Sequence, residues 1–105
     1  MRPKPADKAE VARLRKCLAD LHGVQAKHRT SVHVHEAFGG QTVWEGDVEV
    51  FDVSGHPAVA EAYAWSHETD SGGRRFIAVL KIPPVVSPET AVRAAIVKEA
   101  RARRA

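Results

Sequence analysis

Between residues 42 and 82, apolar and polar side chains alternate in short runs separated by clusters of glycine, proline and small polar residues. A period of two is the mark of strands with distinct faces, so this segment commits the chain to a sheet on which everything else must pack. Residues 42–53 are rich in β-branched and aromatic side chains and alternate charge with Val or Phe from Asp47 onward, which predicts a long central strand. In residues 60–67, Ala60, Ala62 and Ala64 fall on one side and Glu61, Tyr63, Trp65 and His67 on the other. Residues 75–82 form an apolar run closed by Pro83-Pro84, which cannot continue a ladder, and the run is expected to be the most buried strand.

Upstream, Val11, Leu14, Leu18 and Leu21 recur at the spacing of one helix face, Asp7 with Glu10 resembles a capping box, and Gly23 is a stop signal. A helix is therefore predicted over residues 8–22, preceded by a flexible arm at 1–6. Residues 24–29 lose the pattern and read as a loop, after which 30–38 alternate as a strand with Val32, Val34, Glu36 and Phe38 on one side. Gly39-Gly40 then marks a hairpin. A three-residue connection, 39–41, sets Val34 near Gly46, Val32 near Val48, His35 near Glu45 and His33 near Asp47, which segregates polar from apolar; a two-residue loop would instead place His35 opposite Trp44 and mix the faces. Ser87 as cap and Pro88 at the first helical position start a second helix over 88–102, ending in a frayed tail at 103–105.

The expected fold is α+β: helix, four-stranded antiparallel meander, helix, in a single domain over 1–105. Both helices are placed on one face, because the small row Ala60, Ala62, Ala64 suits close approach of a helix. Tyr63 and Trp65 would then look out from the uncovered face with Phe51, Ile77 and Val79. An apolar patch of that size is uncomfortable for a monomer, and the expectation is a homodimer or another protein partner covering those five residues.

The helix, strands, helix order resembles double-stranded RNA binding domains at the level of the fold. That resemblance implies phosphate contacts from lysines near the start of the last helix, where this chain has Ser87-Pro88-Glu89-Thr90. Residues 48–53, Gly55-His56-Pro57, Tyr63-Ala64-Trp65 and the junction Ile82-Pro83-Pro84 resemble a group of small bacterial proteins, a resemblance that implies no activity.

The net charge of +3 is modest, and basic residues gather toward the ends, in Arg13, Arg15 and Lys16 and in Arg101, Arg103 and Arg104. These are the candidate nucleic-acid contacts, while ordinary solubility is the simpler reading of the same charges. A single cysteine excludes an internal disulfide, and Cys17 beside a leucine stripe reads as an inert thiol in a reducing, cytoplasmic setting. No apolar run approaches the roughly 20 residues of a membrane span, so no membrane association is expected.

His33 and His35 project to one strand face, where two imidazoles can share a metal if Glu45, Asp47 or Glu49, or His67 should its strand lie nearby, supplies a third ligand. The simpler reading is a solvated cross-strand set of histidine and carboxylate. No cofactor is expected, zinc at this pair being the one candidate. Ser54 and His56 form no nucleophile motif, and neither glycine pair opens a helix as a phosphate loop does, so a non-enzymatic role is expected.

Overall fold

The computed structural model describes residues 8–69 and 71–104. Helix α1 (Lys8–His22) forms where the stripe predicts it, with Leu14 and Leu18 fully buried. It stops at Gly23, whose φ of 67° is one that side chains rarely adopt and whose N–H donates to the Ala19 carbonyl at 2.9 Å. The Asp7 cap and the arm at 1–6 lie outside the described residues.

Four strands follow in an antiparallel meander: β1 (Gln25–Phe38), β2 (Gln41–Ser54), β3 (Glu61–Glu68) and β4 (Arg74–Leu80), side by side in that order. Helix α2 (Pro88–Arg104) closes the chain and continues two residues past the expected end at 102. Its start is a reciprocal cap, in which Thr90 N–H donates to Ser87 Oγ at 3.2 Å and Ser87 N–H donates to Thr90 Oγ1 at 2.9 Å. Among the described residues, no helix is long and apolar enough to cross a membrane.

The hairpin register is the segregated one: Val32 faces Val48, Val34 faces Gly46, His33 faces Asp47 and His35 faces Glu45. It is reached by a different route. Gly39 and Gly40, with φ of 59° and 78°, make a two-residue turn between Phe38 and Gln41, and the extra residue is taken up as a bulge at Val43. Residues 25–29, expected as loop, begin β1. Their alternation is hidden because Arg29 is a bulge between His28, opposite Phe51, and Thr30, opposite Val50. One inserted residue reverses the face of every even position, so Ala26 and Val32 pack on opposite sides of the sheet.

The element order and antiparallel meander match the sequence reading, but the helices do not share a face. Leu14 and Leu18 of α1 pack with Phe51, Ala62, Ala64 and Leu80, whereas Ala91 and Val92 of α2 pack with Val34, Val48, Val50, Tyr63 and Trp65. Each side combines large with small: leucines over the alanine row, and small α2 residues over the aromatic row. Both sheet faces are apolar, so each needs a helix, and one on each side buries more of that area than two on one. The chain is thus a three-layer helix–sheet–helix sandwich.

Candidate interaction surface

The aromatic face expected to be open is covered. Tyr63 and Trp65 are 1 % and 2 % exposed beneath α2, and Phe51 lies on the opposite face, fully buried beneath α1. Burial pushes the Tyr63 hydroxyl pKa up, and its hydrogen bond to Glu61 Oε2 at 2.5 Å adds to the shift. Trp44 lies against Trp65 with ring centroids 6.1 Å apart, so these rings form core rather than docking surface. Ile77 and Val79 remain half-buried.

At the hairpin, His33 Nε2 meets Glu45 Oε2 at 2.8 Å and His33 Nδ1 meets Asp47 Oδ1 at 3.0 Å. The bond to Glu45, then that to Asp47, raises the His33 pKa, and the same bond lowers that of Glu45. An imidazole that meets a carboxylate at each nitrogen donates through both when protonated, and in that form has no lone pair to offer a metal. His35 turns away to Thr42 Oγ1 at 2.7 Å, and no group of three His, Cys, Asp or Glu gathers as a metal site among the described residues.

Buried Glu49 accepts from His28 Nε2 at 2.8 Å and from Ser31 Oγ. This puts a serine, a carboxylate and a histidine together in an order that does not activate the serine, because the carboxylate stands where a triad needs the imidazole. At the other end of the sheet, Arg29 bridges Asp52 and Glu61 across two strands, and Lys81 approaches Glu61 at 3.7 Å. These pairs tie strand to strand.

Among the described residues, the basic side chains proposed as nucleic-acid contacts are not brought into one patch. Arg13, Arg15 and Lys16 are exposed on α1, with Lys16 paired to Asp20 at 2.7 Å, while Arg101 is exposed on α2 across the sheet. The side chains of Arg103 and Arg104 lie outside the described residues. Burial, then the Asp20 charge, raises the pKa of the half-buried Cys17 thiol and so disfavours the thiolate.

What the fold leaves open is the outer edge of β4. This strand, expected to be the most buried, is the last in the sheet, and along it runs a groove of about 850 Å³ bounded by Leu21 and His22 of α1 and by Ala94, Ala95, Lys98 and Glu99 of α2. Leu21 is 63 % exposed and Ile82 is 50 % exposed at its rim. Lys81 N–H donates to the Glu61 carbonyl at 3.0 Å, which places odd-numbered residues of β4 in bonds to β3 and turns the amides and carbonyls of Arg74, Phe76, Ala78 and Leu80 outward. Two of the outward carbonyls are occupied: His22 Nε2–H donates to Ala78 O at 3.0 Å, and Ile82 N–H donates to Leu80 O at 2.9 Å.

A sequence signal for this edge exists in the uninterrupted run Phe76-Ile77-Ala78-Val79-Leu80, apolar on both faces as an interior strand is. The two helices explain the two apolar faces but, among the described residues, leave the edge without a neighbouring strand. No protein-family model, curated protein or solved structure matches the chain.

Proposed function

We propose that this chain is a non-enzymatic interaction domain that works as a homodimer, joined edge to edge through β4. The observation that carries this reading is an apolar edge strand lying in a largely apolar groove, capped among the described residues only at the Ala78 and Leu80 carbonyls. Exposed edges are ordinarily blunted by charge, proline or a bulge. The other edge, β1, has these devices in the Arg29 bulge and in Lys27, His33 and His35, whereas β4 has only Arg74 and Arg75 at its start. A strand added to β4 must be apolar on both faces to fit between the ends of α1 and α2, and residues 76–80 are themselves such a strand. A second copy therefore meets the requirement without further assumption.

The protein-binding role and a reducing, cytoplasmic setting with a protonated Cys17 are consistent with this reading. The nucleic-acid reading is weaker because its basic residues are divided between opposite faces, and the zinc reading because both His33 nitrogens are engaged.

Sedimentation equilibrium tests the proposal. The native chain is expected to associate to a dimer, and the double variant Leu21→Lys, Ile82→Lys to remain monomeric with an unchanged far-UV spectrum, since exposed substitutions cost within about 0.5 kcal/mol of fold stability. A monomeric native chain, or a double variant that dimerises as well as the native one, would overturn it.

A further inference from the structure

Resting on that reading, we infer that the two copies pair antiparallel about Phe76, a register selected by the edge carbonyls the chain leaves free. In an antiparallel ladder each hydrogen-bonded pair exchanges two N–H···O bonds, so every outward carbonyl must be available to an N–H of the partner. Ala78 O is held by His22 and Leu80 O by Ile82. Among the described residues, the outward groups of Phe76, the Arg74 carbonyl and the Ala78 N–H carry no such bond.

A two-fold axis at Ala78 needs the occupied Ala78 carbonyl for both of its central bonds. An axis at Ile77 pairs Phe76 with Ala78 of the second copy, needs the same carbonyl twice, and then needs that of Leu80 for Arg74. An axis at Arg75 sets two arginines against each other and shortens the ladder. An axis at Phe76 keeps the carbonyl conflict out of its centre: the two Phe76 residues exchange both bonds between free groups and each Ala78 N–H reaches the free Arg74 carbonyl of the other copy, so that only the outer Arg74 N–H meets the Ala78 carbonyl held by His22.

The side chains suit this register. The Phe76 rings meet on the α1 side, packed against the core that contains Leu14 and Leu18. On the α2 side, Ile77 lies beside the Arg75 stem, whose guanidinium is drawn toward Glu99 at 3.0 Å and so presents its methylenes to the groove. The product is a continuous eight-stranded sheet, with the β4 strands at its centre, where their two-sided apolar pattern belongs.

The register is read from an equal mixture of isotope-labelled and unlabelled chain by filtered NOE spectroscopy, without any substitution. Non-hydrogen-bonded pairs bring Cα atoms to about 4.5 Å, so an intermolecular Hα–Hα contact is expected between Arg75 and Ile77. A contact between Arg75 and Val79 indicates the axis at Ile77, one between Ile77 and Val79 the axis at Ala78, and one between Gly73 and Ile77 the axis at Arg75; any of these overturns the register while leaving edge pairing intact. A sample that sediments as a dimer but gives none of these contacts overturns the edge pairing together with the register.

Discussion

Trp65 separates a covered sheet from an open one by a wide margin. It is 2 % exposed and packs with Val34, Val48, Ala91 and Val92, with Trp44 tilted against it at 6.1 Å and 59°. Truncating such a residue to alanine removes the transfer free energy of the indole and leaves a cavity, together costing about 3 to 5 kcal/mol. Total stabilities of such domains are about 5 to 15 kcal/mol, so Trp65→Ala removes about a fifth or more of the whole. With a urea slope of about 1.5 kcal/mol/M, a loss of ~4 kcal/mol moves the unfolding midpoint down by about 2.5 M. Urea unfolding of native and variant chains, followed by far-UV circular dichroism at fixed protein concentration, measures this. A Trp65→Ala midpoint within about 0.3 M of the native one, with an unchanged slope, would refute the placement of Trp65 beneath α2.

Three other outcomes follow from local geometry. At Gly46 an added Cβ would lie 2.9 Å from Trp44 Cζ2, so Gly46→Ala is expected to displace the indole and cost about 1 kcal/mol; a stabilised variant with an unchanged near-UV spectrum would contradict this. The His33 pKa is raised in the folded chain, so its contribution to stability is complete below the ordinary value of 6.5 and fades as pH rises through the folded pKa. NMR titration of His33 is accordingly expected to give a midpoint above 6.5, and His33→Gln to cost more stability at mildly acidic pH than at alkaline pH; a midpoint at or below 6.5 refutes it. Ser87→Ala removes the acceptor of Thr90 N–H and is expected to cost about 1 kcal/mol in thermal or urea unfolding, whereas a cost near zero would mean that the cap is redundant.

Where one local rule acts alone, residues announced their structure. The α1 stripe, the Ser87-Pro88 start of α2 and the pairing of Val32 with Val48 and His33 with Asp47 were all legible, because periodicity and face segregation fix them without reference to the rest of the chain. Arg29 shows where legibility ended. A bulge changes no composition and inserts one residue, yet it moves Ala26 and Val32 to opposite faces and makes the first part of β1 look like loop. The side of the sheet taken by α2 was equally hidden. The Tyr63 and Trp65 row is compatible with solvent, a partner or a helix, and only the small side chains of Ala91, Ala94 and Ala95 hinted at which. The position of β4 at the edge contradicted its interior-like sequence, and that conflict located the candidate surface. The His33 and His35 pair was legible as a cross-strand set, while the turning of His35 to Thr42 is a side-chain choice that spacing does not reveal.

Residue-resolved amide exchange across a range of protein concentrations tests edge pairing through β4, because the two hydrogen-bonding sides of this strand respond differently to assembly. The Ile77 and Val79 amides bond to β3 within one chain and are expected to be protected at every concentration. The Phe76 and Ala78 amides point out of the sheet and are expected to exchange quickly in dilute solution and to slow by an order of magnitude or more as the dimer forms. Phe76 and Ala78 amides that exchange at the same fast rate in monomer and dimer would contradict the account.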